Sequence, residues 1–143
     1  GYLYLTRRWQ EGDTVLLTLP MPVRRVYGHP LVRQQAGKVA LQRGPLVYCL
    51  EEADNGSELQ NLTLAHDGEF VEVAGSGVMA NKILIQAQGY RQALSAPEEK
   101  PLYQFDRPMA HTEPQTLTFI PWFSWANRGE GEMRIWVNEG SNM

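Results

Sequence analysis

The most unusual string in the sequence is Ile120-Pro121-Trp122-Phe123-Ser124-Trp125-Ala126-Asn127-Arg128-Gly129-Glu130-Gly131, where three aromatics run into Asn-Arg-Gly. Two accounts fit it. Trp faces stack on pyranose or furanose rings while Asn and Arg bond hydroxyls, which makes Trp122, Trp125, Asn127 and Arg128 candidate carbohydrate contacts. The other account is a packed turn: Trp122 and Trp125 fill the end of a β-structure, Asn127 or Gly129 takes a left-handed conformation, and Arg128 pairs with a nearby carboxylate. Aromatic side chains are core residues far more often than platforms, so the Trp122 to Trp125 segment is expected to be largely buried.

A glycosidase needs two carboxylates facing one bond, and Asp13, Glu51, Glu52, Asp54, Glu130 and Glu132 are the available acids. Each sits in a turn or a strand flank, and nothing in the pattern marks one as buried beside another. Solvated surface charge is the expectation for all six, with no catalytic residue assigned. His29, His66 and His111 are 37 and 45 residues apart and lack the short spacings that bring two imidazoles to one metal. The single cysteine, Cys49, lies between Tyr48 and Leu50 and reads as a small buried thiol; no metal site is assigned. The sequons Asn55-Gly56-Ser57 and Asn61-Leu62-Thr63 read as chance.

The bulk properties exclude some classes. Lys+Arg 13 against Asp+Glu 16 leaves a net charge of −3, which argues against a basic-patch nucleic-acid binder. Apolar residues at 43% and charged ones at 20% are ordinary for a chain that buries a core. No apolar run approaches the roughly 20 residues of a membrane helix, and Gly1 to Trp9 lacks a signal peptide's leucine-rich stretch. No membrane partner is expected, and a bacterial cytoplasmic location is.

The elements that must position these residues read as all-β. Tyr2 to Arg8 alternates like a strand in progress, and Glu11-Gly12-Asp13 turns it into Thr14 to Leu19, a hairpin signal. Pro20 and Pro22 demote Val23 to Tyr27 to an edge strand or crossing segment. Lys38 to Gln42 and Leu46 to Leu50 flank a sharp bend at Arg43-Gly44-Pro45. Leu62 to Leu64, Phe70 to Val73, Lys82 to Ala87 and Thr116 to Ile120 follow as strands, and Met133, Ile135 and Val137 alternate with polar or outward residues. Ser95 to Gln115 holds four prolines and reads as a long loop. No stretch shows helical periodicity over three turns. The expectation is an antiparallel, jelly-roll-like β-sandwich belonging to a larger multidomain protein. It spans 1–143 either as one region or as two small subdomains around a loop at 95–115.

The ordered strings Gly1-Tyr2 to Arg8-Trp9, Leu19-Pro20-Met21-Pro22-Val23-Arg24, Val39-Ala40-Leu41-Gln42-Arg43-Gly44-Pro45-Leu46-Val47-Tyr48 and Trp122-Phe123-Ser124-Trp125-Ala126-Asn127-Arg128-Gly129 span nearly the whole chain. Together they resemble the C-terminal part of the glycoside hydrolase family 127 β-L-arabinofuranosidases. The resemblance implies catalysis in an N-terminal (α/α)₆ barrel, with a cysteine nucleophile beside a zinc ion held by further cysteines and a glutamate. Cys49 does not match those cysteines, so no catalytic residue and no cofactor carries over. The implied role is a non-catalytic accessory region that supports the barrel as its partner. An autonomous carbohydrate-binding module using Trp122, Trp125 and Arg128 on an oligosaccharide is the alternative. A homodimer through a sheet edge at Gly1 to Arg8 is a further expectation.

Overall fold

The computed structural model describes residues 1–93, 103, 105 and 111–140. Its strands are β1 (Val23–Tyr27), β2 (Lys38–Arg43), β3 (Leu46–Glu51), β4 (Leu62–Ala65), β5 (Phe70–Ala74), β6 (Ile83–Ala93), β7 (His111–Pro121), β8 (Met133–Arg134) and β9 (Val137–Gly140). One helical turn, α1 (Glu52–Asn55), and several 3-10 turns complete the described elements. The all-β expectation holds.

The arrangement of the strands differs from the expected sandwich. All nine described strands belong to one hydrogen-bonded sheet. Six of them close a ring in the order β2, β9, β4, β6, β7, β3 and back to β2. Closure depends on β2 serving two neighbours: Lys38 and Val39 pair with β9, while Leu41 to Arg43 pair with β3 across the Gly44-Pro45 bend. Every pairing is antiparallel except β4 with β9. A closed sheet removes free edges around the ring. Outside it, β1 lies on β2, β8 on β3, and β5 on the first half of β6.

The side-chain alternation of the strands explains how the core is split. Tyr48 and Leu50 of β3 point into the main core with Leu41, Leu62, Leu64, Ile85, Leu117 and Phe119, all without solvent exposure. Cys49 points the other way and is buried against Ile120 and Met79, with Leu84, Met133 and Ile135 packed around them. β3 is therefore covered on both faces, and the next outward position after Cys49 is Glu51. Where β6 crosses between β4 and β7 the backbones come so close that a Cβ on Gly89 would meet Leu117 Cδ1 and Thr63 O at 2.6 Å. Glycine is required there. The edge strand β1 is fastened by Arg25, which reaches Glu139 at 2.8 Å and the carbonyls of Ala65 and Gly68 at 2.9 and 3.1 Å.

Several expected boundaries move. Residues 2–8 and 14–19 form no strand and are exposed throughout, so the expected N-terminal hairpin has no paired arms here. An isolated two-stranded hairpin is marginal in water, and none of the described strands pairs with it. His111 to Gln115, assigned to the loop at 95–115, instead extend β7 in register with β6 from Gly89 to Ala93. Apart from these residues and Tyr103 and Phe105, that loop lies outside the described residues. The run from Met133 to Val137 breaks into β8 and β9 rather than forming one strand.

Burial, followed by the nearby Glu51 carboxylate, pushes the Cys49 thiol from an ordinary 9.0 up to about 12. The folded value lies above the unfolded one, so the buried neutral thiol favours the fold fully below pH 9 and loses that contribution as pH rises toward 12. Ellman's reagent at pH 8 is expected to leave Cys49 unlabelled in the native chain and to label it once urea has unfolded the protein. Fast stoichiometric labelling of the native chain would contradict the packing described for β3.

Candidate functional site

The Trp-rich segment begins where β7 ends. Pro121 cannot continue the ladder, and Trp122 to Ser124 coil into a single 3-10 turn closed by the Trp125 amide donating to Trp122 O at 3.0 Å. Ser124 is buried with its hydroxyl unpaired, whereas Trp122, Phe123 and Trp125 are 49%, 61% and 41% exposed. The expectation of a buried Trp122 to Trp125 segment is thus corrected. The sites these rings would fill are already taken by Cys49, Ile120, Met79 and their neighbours, so the aromatics lie on the outside.

Beneath this turn sits an ion cluster that the sequence reading placed in solvent. Glu51, the last residue of β3, has a side chain only 4% exposed. Its Oε1 accepts from the Ala126 amide at 3.0 Å, and its Oε2 accepts from Arg128 Nε at 3.0 Å and from Arg128 Nη2. Arg128 also donates from Nη1 to Asp54 Oδ1 at 2.7 Å and from Nη2 to Asp54 Oδ2. One guanidinium thus holds two carboxylates, with its planar fork facing each. Hydrogen bonding to Asp54 first, and then to Glu51, raises the Arg128 pKa above its already high ordinary value, so its charge is permanent. The expectation that Arg128 pairs with a carboxylate holds; the expectation of solvated Glu51 and Asp54 does not. Glu51 is buried because it occupies the outward position after Cys49, which the 122–135 segment covers.

The rest of the loop is pinned to the same spot. Asn127 Nδ2 donates to Ser124 O at 3.0 Å, and the residue in the left-handed region is Ala126, at φ 64°, in addition to Gly129. Glu132 and Glu52 bridge the loop to α1: the Glu52 amide donates to Glu132 O at 3.0 Å and the Glu132 amide to Glu52 Oε2 at 2.8 Å. Glu132 Oε2 then accepts from the Leu59 amide at 2.7 Å. Asn55, which the sequence offered only as part of a chance sequon, is buried and ties α1 to β7 through both its Nδ2 and Oδ1, on Thr118 O and the Thr118 amide at 2.9 Å. Its signal would have been position, since a short amide side chain closes the single turn that follows a buried strand.

Every oxygen of Glu51 and Asp54 accepts a bond from the loop, from the Arg128 guanidinium or the Ala126 amide. Among the described residues no group of three or more His, Cys, Asp or Glu is placed to hold a metal ion. Asp13 lies elsewhere, in the exposed 10–13 turn, while Glu130 sits on the loop surface next to the clamp. Beside the clamp an open depression of about 440 Å³ is lined by Trp125, Ala126, Gly129, Glu130 and Gly131.

Comparison with known proteins gives a consistent set of relatives. A family model described as the glycoside hydrolase family 127 C-terminal domain matches residues 23–138. A curated non-reducing end β-L-arabinofuranosidase from Bifidobacterium longum subsp. longum is 39% identical over 142 aligned positions, covering 94% of this chain and 21% of that protein. Among solved structures, a family 127 β-L-arabinofuranosidase from Geobacillus stearothermophilus T6 superposes with a TM-score of 0.75 at 45% identity, covering 85% of this chain and 19% of the other. A family 127 β-arabinofuranosidase superposes at 0.70 with 28% identity over 84% of this chain and 17% of its own. The chain spans about a fifth of the length of these relatives.

Removing one partner of a buried ion pair strands the other, at a cost of about 3 kcal/mol. Arg128→Ala should therefore lower stability by about that much in urea denaturation followed by tryptophan fluorescence. Asp54→Asn, on the outer side of the clamp, should cost about 1 kcal/mol. Equal, sub-kilocalorie effects of both would show that the cluster is surface charge after all.

Proposed function

The chain belongs to the glycoside hydrolase family 127 C-terminal domain family, and from that premise we propose that it is a non-catalytic β-domain that steadies the catalytic part of a β-L-arabinofuranosidase-like hydrolase. The observation that carries this reading is the clamped loop. Its carboxylates are consumed by Arg128, and its aromatics Trp122, Phe123 and Trp125 are held rigidly at the surface. Rigid exposed aromatics are the usual anchors of a protein interface, because they bring large contact area at little entropic cost. The proposed occupant is the (α/α)₆ barrel implied by the family resemblance. The zinc chemistry belongs to that barrel in this account: Cys49, buried and held protonated, does not fit a thiolate ligand.

A second reading is favoured by one feature. The depression beside Trp125 offers an aromatic face and the Glu130 carboxylate to a sugar ring, which suits a carbohydrate-binding module. In that reading Trp122 and Trp125 supply stacking. Asn127 and Arg128 hold the loop, since their donors are already engaged.

The purified chain is expected to release no aryl group from an aryl β-L-arabinofuranoside; turnover that depends on this chain would overturn the non-catalytic reading. Calorimetric titration with arabino-oligosaccharides separates the two roles. Saturable heat abolished by Trp125→Ala would favour the sugar module, and its absence leaves the aromatic face to the catalytic part.

A further inference from the structure

The sequence holds a single Asn-Gly pair, Asn55-Gly56, and the fold divides it between inside and outside. Asn55 is 3% exposed, whereas Gly56 lies at the surface. Such a pair is chemically labile, because glycine has no Cβ to keep its backbone nitrogen away from the carboxamide carbon of the preceding side chain. Attack of that nitrogen on the carbon closes a five-membered imide ring.

The native structure holds both reacting groups apart from that path. The carboxamide is fixed by three bonds: Nδ2 donates to Glu51 O and to Thr118 O, each at 2.9 Å, and Oδ1 accepts from the Thr118 amide at 2.9 Å. The nitrogen is fixed too, since the Gly56 amide donates to Glu52 O at 2.8 Å. A second layer closes over the peptide from β6 and β7. Arg91 donates from Nη2 to Asn55 O and from Nη1 to Ser57 O at 2.8 Å, and its Nε is held by Gln115 Oε1 at 2.8 Å. Gln115 Nε2 also donates to Asn55 O at 3.0 Å. Arg91, Gln115 and Thr118 lie 36, 60 and 63 residues from Asn55, so these restraints exist only once the barrel has formed.

We propose that Asn55-Gly56 is a spontaneous deamidation site that the native fold keeps closed and unfolding opens, with no return to the fold once the reaction has run. In the unfolded chain the Gly56 nitrogen gives up its proton to water and bonds to Asn55 Cγ; the Cγ–Nδ2 bond breaks and Nδ2 leaves as ammonia. Water then adds to the cyclic imide and opens it on either side, leaving aspartate or isoaspartate. Neither product suits the native site. A carboxylate has no N–H to give, so Glu51 O and Thr118 O lose the donor that Nδ2 supplied, and a new negative charge enters beside Glu51 and Asp54, whose own charges already share Arg128. Isoaspartate also adds a methylene to the main chain inside the turn that the Gly56 amide closes. Chains that dwell unfolded are thereby removed chemically from the folding equilibrium. The inference stands whether the domain steadies a hydrolase or binds a sugar.

The test holds the chain at pH 8 in two arms, native in buffer and unfolded in guanidinium chloride, and reads amide loss at residue 55 by peptide mapping and mass spectrometry. The unfolded arm should react at least about a hundredfold faster, because in the native arm only the opened fraction can react. A native arm as fast as the unfolded one, or an unfolded arm that keeps its amide, would overturn the proposal. Gly56→Val should slow the loss several-fold in the unfolded arm by hindering the nitrogen, and there the variant's own stability does not enter. An unchanged rate would overturn the route through Gly56. Partly reacted chain is then diluted out of denaturant and separated by size-exclusion chromatography. The refolded fraction should carry intact Asn55 and the misfolded fraction the product; product spread equally between the two would overturn the claim of no return.

Discussion

Arg128 lies between two carboxylates, one of them almost without solvent access, and that contact ties its loop to the end of β3 and the turn that follows it, 77 and 74 residues earlier in the chain. Glu51 ends the central strand β3, Asp54 lies in α1, and Arg128 belongs to the loop leaving β7. An ionised carboxylate in such a place is costly unless its oxygens are fully bonded, and here they are, with the Ala126 amide taking the position the guanidinium leaves. The pair's net worth is modest, because desolvation offsets most of the attraction. Its asymmetry matters more: any rearrangement of the loop strands a buried charge, so only one loop conformation is tolerated.

That single conformation determines what the surface offers. The outward face of β3 is filled by Cys49, Ile120 and Met79, and the loop closes over them. With that space taken and the loop clamped through Arg128, the rings of Trp122, Phe123 and Trp125 are left facing out. Exposed aromatics on a mobile loop would cost ordering entropy when a partner binds; held in place, they do not. The same economy of edges runs through the barrel. The ring closes, and β1, which lies outside it, is tied down by Arg25.

The sequence showed the strands more clearly than their assembly. β2 and β3 were legible because two apolar runs flank a Gly-Pro bend, and that pattern is local. The closed ring was not, because it depends on β9 reaching both β2 and β4, contacts that no neighbouring residues announce. The expected hairpin of residues 2–8 and 14–19 carried a correct local turn at Gly12, but its arms have no partner strand among the described residues, so pattern and pairing part company. At the site, Arg128's need for a carboxylate was readable from its type. Which carboxylate, and that it would be buried, was not, since Glu51 lies 77 residues away and owes its burial to the same loop. The aromatics misled for a related reason: residue type favours the core, but the outer layer over β3 was already full.

The central claim is that Glu51 and Arg128 form one buried unit on which the loop depends, and a double-mutant cycle measures it directly. Glu51→Gln, Arg128→Met and the double variant would be unfolded in urea beside the parent chain. The account predicts that each single change is severe and that the double variant loses less than their sum by about 2 kcal/mol, since removing both leaves no stranded charge. Effects that add to within about 0.5 kcal/mol would contradict it and reduce the clamp to two neighbours that do not depend on each other.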